Sequence, residues 1–139
     1  MNKVSYEVDA VDGAWNSDAD FEMGNMGMRP LIKGGYFPLP PVDHMQDIRA
    51  EMLSTMARIG MKVDKHHHEV ASCQHELGLV FGSLTEQADA ILKYKYIIQQ
   101  VANAYGKTAT FMPKPIAGDN GTGMHVHQSI WKDGKPLFA

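Results

Sequence analysis

Lys65-His66-His67-His68-Glu69-Val70-Ala71-Ser72-Cys73-Gln74-His75-Glu76 reads as two strands and the turn that joins them. With Ser72-Cys73 at the turn, or with the loop lengthened evenly to four residues, Ala71 faces Gln74, Val70 faces His75 and Glu69 faces Glu76. Directly opposed residues of an antiparallel pair share a face, with Cβ atoms about 4.5–5.5 Å apart. Two carboxylates so placed repel unless a cation lies between them, so this pairing predicts a divalent metal site at Glu69 and Glu76. The alternative is a pair of solvated glutamates on a polar sheet face. Ser-Cys suits the primed turns of tight hairpins poorly, because neither residue takes positive φ cheaply, and this favours the longer loop.

Further along, Met124-His125-Val126-His127-Gln128-Ser129-Ile130-Trp131 alternates strictly. A period of two puts His125, His127, Ser129 and Trp131 on one face and Met124, Val126, Gln128 and Ile130 on the other. Imidazole, imidazole and hydroxyl repeat at roughly 7 Å intervals along such a strand. They can serve a metal, a phosphate or a nucleotide, or simply face solvent. Ala117-Gly118-Asp119-Asn120-Gly121-Thr122-Gly123 precedes them, a glycine-rich turn whose amides can approach an anion closely.

No Lys-Ser/Thr follows the glycines and a strand comes next, so neither the P-loop nor the Rossmann turn fits. The single cysteine, Cys73, cannot build a thiolate cage, and no His-Glu-x-x-His helix is present. Oxygen ligands with one imidazole favour magnesium or manganese over zinc.

A chain of 139 residues makes one domain at most. Its net charge of -3 and scattered Lys and Arg argue against a nucleic-acid partner. No apolar run approaches the roughly 20 residues of a membrane span, and the first residues lack the apolar core of a signal peptide. With one cysteine, these features lead to the expectation of a cytoplasmic protein in a reducing compartment, without membrane contact. The methionines, several at helical spacing, read as core.

Two helices are predicted. Asp43 caps the first, with Gln46 at the third position, Met45, Ile48, Met52, Met56 and Ile59 as its apolar stripe, and Gly60 at its end. Ser83 caps the second with Glu86 three residues on; Leu84, Ala88, Ile91, Ile98, Val101 and Tyr105 face the core, and Gly106 stops it. Strands are expected near Met61–Ala71, Gln74–Phe81 and Thr108–Met112 and over the histidine segment, with Asp133-Gly134 as a hairpin turn. The order implies an α+β fold, an antiparallel sheet with flanking helices. Residues 1 to 35 read as loop-rich.

The chain resembles glutamine synthetase, the bacterial and archaeal type I form. The resemblance rests on Gly13-Ala14-Trp15-Asn16, Gly34-Gly35-Tyr36-Phe37-Pro38-Leu39-Pro40-Pro41-Val42-Asp43, the His66–Ala71 and Gln74–Glu76 arms of the hairpin, Gly106–Pro115 and Gly118–His127. It covers nearly the whole chain. It implies ATP-dependent joining of ammonia to L-glutamate through γ-glutamyl phosphate, with two magnesium or manganese ions per site between neighbouring subunits of a homododecamer. Glu69 and Glu76 would ligate the metal on the glutamate side, and His125 the second metal. Asn120, Gly121 and Gly123 match the glutamate-binding loop. His127, Ser129 and Phe81 match nucleotide contacts, as does Asp64, which stands where the family often carries glutamate.

The resemblance also implies that the family's N-terminal β-grasp domain, its Glu-x-Glu strand, a further glutamate ligand and the substrate-binding arginines lie outside residues 1–139, since Arg29, Arg49 and Arg58 fall outside the motifs. The expectation is a partial catalytic domain, inactive alone. A γ-glutamyl-polyamine or γ-glutamylmethylamide synthetase would share these residues. A non-catalytic relative would have little reason to keep opposed carboxylates, and a cupin barrel wants a glutamate shortly after His127 where Ile130, Trp131 and Lys132 stand.

Overall fold

Helix α1 spans Gln46–Arg58 and helix α2 spans Leu84–Ala104, and both end in the same way. Gly60 (φ +84°) and Gly106 (φ +65°) take the left-handed conformation that side chains disfavour. Beyond them, Met61 N–H donates to Met56 O at 3.1 Å and Lys107 N–H to Ala102 O at 2.9 Å. These are the long bonds of Schellman motifs, which satisfy carbonyls the helix itself leaves open. This computed structural model describes residues 12–13 and 29–138; Ala14, Trp15, Asn16 and most of the stretch read as loop-rich lie outside the described residues.

At the start of α2 the Glu86 carboxylate accepts the Ser83 N–H (3.1 Å) and hydroxyl (2.7 Å), in keeping with the Ser-x-x-Glu spacing. The start of α1 corrects the expectation for Asp43. Met45 is the N-cap residue, and Asp43, though it accepts the Met45 N–H at 3.2 Å, is engaged chiefly by the Arg49 guanidinium at 2.9 Å. A charge-assisted pair outweighs a single neutral cap bond.

Met45, Ile48, Met52 and Met56 of the first stripe pack on Leu77 and on Ile97, Ile98, Val101 and Ala102 of α2. Ile59 is 59% exposed, a correction to the stripe. In α2, Ile98 and Val101 are buried as expected, whereas Leu84, Ala88 and Tyr105 are exposed and Ile91 is half-buried. Length explains the difference: α1 has 13 residues and α2 has 21, so at 1.5 Å per residue the shorter helix covers only one end of the longer.

Strands β1 (Val63–His68) and β2 (His75–Leu79) form an antiparallel hairpin against α1. A second hairpin, β3 (Trp131–Lys132) and β4 (Lys135–Pro136), turns at Asp133 (φ +50°) and Gly134 (φ +73°), the positive angles that a tight hairpin turn requires. The chain is thus α+β. Thr108–Met112 and residues 124–130 are not strands. Alternation says which residues share a face once a strand is paired, but no described strand lies beside these segments to accept their hydrogen bonds.

Candidate metal centre

In the β1–β2 hairpin His68 lies opposite His75, His67 opposite Glu76, and His66 opposite Leu77, while the Glu69 N–H donates to Gln74 O at 2.7 Å. Glu69 and Glu76 are therefore not directly opposed. The register is offset by two residues from the predicted one, and the loop is Val70–Cys73. Gln74 closes it, donating its N–H to Ala71 O (3.1 Å) and accepting the Ala71 N–H on Oε1 (3.1 Å). Cys73 turns the chain at φ +49°. A slip of two residues preserves faces, so the two glutamates still share one, with His67 across from Glu76.

Alternate histidines consequently do different work. His66, His68 and His75 point toward α1 and the interior, where Arg49 Nε donates to His66 Nδ1 (3.2 Å) and Arg49 Nη1 to His75 Nδ1 (3.1 Å). Arginine has no acceptor, so both imidazoles accept at Nδ1 and are neutral. Burial and the Arg49 charge push His66 below the ordinary histidine range; burial, His68 and Arg49 push His75 down to about 3. Arg49, on α1, thus supports the hairpin from the face opposite the cluster.

His68 is bonded at both ring nitrogens, through Nε2 to Asp12 Oδ2 (2.7 Å) and through Nδ1 to Glu69 O (2.6 Å). Both partners only accept, so each ring nitrogen donates. Burial lowers the His68 pKa, but the bonds to Asp12 and Glu69 outweigh it and the net shift is upward. Burial raises the Asp12 carboxyl, yet its bonds from His68 and Cys73 hold it at about 2. The Cys73 thiol is pushed up by burial and by the Asp12 carboxylate, which leaves it protonated and unreactive.

The other face carries the cluster. One donor atom each from His67, Glu69 and Glu76 lies within 4.8 Å of the other two, with His67 Nε2 3.0 Å from Glu69 Oε1 and 3.9 Å from Glu76 Oε2. Phe37 stacks on the His67 ring at 4.2 Å and Tyr36 meets it edge-on at 5.7 Å. Phe37 takes φ +56°, unfavourable for a bulky residue, and is held by its N–H bond to His68 O (3.2 Å). Gly35 beside it admits no side chain, since a Cβ would lie 2.5 Å from Glu69 O.

Around a magnesium or manganese ion at roughly 2.1 Å, octahedral donors lie about 3 to 4.2 Å apart. The His67–Glu69 and His67–Glu76 spacings of 3.0 and 3.9 Å fall in that range, and two carboxylates with an imidazole suit these metals. His67 Nδ1 is buried without a hydrogen-bond partner, a polar atom of the site that the described residues do not satisfy. From sequence His67 reads as a hydrogen-bonding or packing residue of the hairpin; the structure sets it beside Glu69 and Glu76. The signal was there: it stands two residues before Glu69, hence on the same strand face.

The glycine loop docks on the hairpin turn. Gln74 Nε2 donates to Gly121 O at 2.7 Å, Thr122 N–H donates to Pro113 O at 2.8 Å, and Lys33 Nζ reaches Asn120 Oδ1 at 3.2 Å. Gly121 must be glycine, because a Cβ would sit 2.6 Å from Pro113 O. Gly123 follows in the same loop, its absent Cβ 3.6 Å from His125 Nε2. The remaining site residues are not gathered. His125 is exposed and does not join the cluster. Asp64 lies in an irregularity of β1 between Val63 and His66, and Phe81, 77% exposed, follows β2. His127 is exposed, as is Ser129, whose Oγ accepts the Trp131 Nε1–H at 2.9 Å.

The family model for the glutamine synthetase catalytic domain matches residues 2–139. The chain belongs to the glutamine synthetase family. It is 73% identical over 137 residues to the glutamine synthetase of Rhodobacter capsulatus, covering 99% of this chain and 31% of that protein. It is 68% identical to that of Cereibacter sphaeroides, covering 99% of this chain and 29% of the relative. The solved glutamine synthetase of Plasmodium falciparum superposes with a TM-score of 0.80 at 33% identity, over 88% of this chain and 24% of its own. The chain thus spans less than a third of the curated relatives it matches. Among the described residues, no helix is long and apolar enough to cross a membrane.

Proposed function

We propose that this chain forms part of the catalytic domain of a glutamine synthetase, which joins ammonia to L-glutamate at the expense of ATP through γ-glutamyl phosphate. The observation that carries the reading is the convergence of Glu69, Glu76 and His67 on one hairpin face with the glycine loop tied to the same turn through Gln74 and Gly121. Glu69 and Glu76 would hold magnesium or manganese on the glutamate side, with His67 beside them. When bound, such an ion neutralises charge on a phosphoryl group in transfer.

The chain's own residues then act by position. Backbone near Asn120, Gly121 and Gly123 approaches the amino-acid substrate without Cβ obstruction. The Phe37 ring covers His67 on one side and limits access of water to that side of the cluster. In this reading His125 serves a second metal, and Asp64, Phe81, His127 and Ser129 contact ATP, brought together by segments beyond the described residues. A homododecamer is the assembly proposed.

The test is a metal-dependent glutamine-forming and γ-glutamyl-transfer assay on residues 1–139 and on the full open reading frame that carries them. Activity is expected in the full frame alone, and to vanish on Glu76→Ala. Activity in neither, or activity that survives that substitution, refutes the proposal.

A further inference from the structure

We propose that Asp12 is a positioning residue for the Glu69–Glu76 site, a single buried carboxylate that fixes the hairpin in the register bringing His67, Glu69 and Glu76 together. This rests on the metal reading above and adds a residue to it from far outside the hairpin.

Asp12 is 1% exposed and holds both sides of the turn at once. Its Oδ2 accepts His68 Nε2 at 2.7 Å and the Cys73 N–H at 3.2 Å, and its Oδ1 accepts the Cys73 thiol. Through the His68 ring the same carboxylate reaches Glu69 O, 2.6 Å from Nδ1. The last residue of β1, the backbone of a candidate ligand and the turn leading to β2 are thus tied to one group.

Something must choose this register, and apolar patterning does not. Sliding the hairpin by two residues would set Glu69 directly against Glu76 and leave every side chain on its own face. Polar anchors tell the two registers apart: Arg49 bonds His66 and His75 across the strands, and at the turn end His68 and Cys73 must both reach Asp12, a buried carboxylate that is strongly disfavoured without them. Asp12 therefore acts on the metal site through the backbone, as outer-shell partners of metal ligands do.

The experiment measures Mn2+ affinity, by titration followed with electron paramagnetic resonance, on the full-length protein that carries this segment. Asp12→Asn is expected to weaken binding on the order of 10- to 100-fold and to change the line shape of bound Mn2+. Val101→Ala, a core substitution away from the turn, serves as a control for general loss of stability and is expected to bind normally. Asp12→Asn binding within twofold of the parent overturns the inference, as does an equal loss in Val101→Ala. Should Asp12→Asn not fold, Cys73→Ala removes one anchor alone; a severalfold loss of affinity supports the inference and an unchanged affinity overturns it. Parent binding indifferent to Glu76→Ala refutes the metal reading itself, an outcome separate from the register result.

Discussion

The carboxylate of Asp43 and the guanidinium of Arg49 form a two-point ion pair beneath the hairpin, with Nη1 2.9 Å from Oδ1 and Nη2 bonded to Oδ2. Their side chains are 4% and 2% exposed. From this pair Arg49 extends to His66 and His75 on both strands, so α1 carries the face opposite the candidate metal ligands on one buried cation.

Arg49→Met leaves the Asp43 carboxylate buried without its partner and removes the donor shared by two imidazoles. Breaking a buried pair on one side costs about 3–5 kcal/mol. Urea denaturation is expected to show that loss as a lowered midpoint at unchanged slope. Adding Asp43→Leu is expected to recover part of it, because no uncompensated charge then remains; a double variant weaker than Arg49→Met would contradict the pair as described.

Acid should loosen the hairpin through Asp12. Its native carboxyl titrates at about 2 against an ordinary 3.8, its bonds from His68 and Cys73 outweighing the upward effect of burial. As pH falls the unfolded chain takes up this proton first, so the contribution of Asp12 is whole above about pH 4 and drains away toward pH 2. The amount is about 2 kcal/mol. Asp43, also held below the carboxylate range by Arg49 against its burial, acts in the same sense. Stability measured between pH 5 and 2 should fall less steeply in Asp12→Asn than in the parent.

Parts of this arrangement were legible in the sequence, and the parts that were not share a physical cause. Ser83 with Glu86, Gly60 and Gly106 mark helix ends because capping is local chemistry. The shared face of Glu69 and Glu76 follows from a period of two, but that period cannot tell their true register from one slipped by two residues. The groups that hold the observed register lie far off in sequence, Asp12 56 residues from His68 and Arg49 26 residues from His75. The alternation of 124–131 was equally visible, yet no described strand pairs with 124–130, so His125, His127 and Ser129 stay exposed.

Met56 and Ile59 occupy the same predicted stripe but should respond oppositely to truncation. Met56 is 0% exposed and Ile59 is 59% exposed. Met56→Ala opens a cavity between α1 and α2 and is expected to cost about 2–5 kcal/mol, whereas Ile59→Ala should stay within about 0.5 kcal/mol. Thermal midpoints of the two variants check this, and similar shifts in both would place Ile59 in the core.

Gly121→Ala probes the tie between the glycine loop and the hairpin. The new methyl would lie 2.6 Å from Pro113 O, and because the obstacle is backbone the loop must move. That movement breaks the bonds from Gln74 to Gly121 O and from Thr122 to Pro113 O. In the full-length protein the glutamate KM is expected to rise roughly tenfold or more, displacements of about 1 Å being costly at sites that work by positioning. Mn2+ affinity should change little, since His67, Glu69 and Glu76 sit on the hairpin. A lost metal affinity with an unchanged KM would reverse the roles assigned to loop and hairpin.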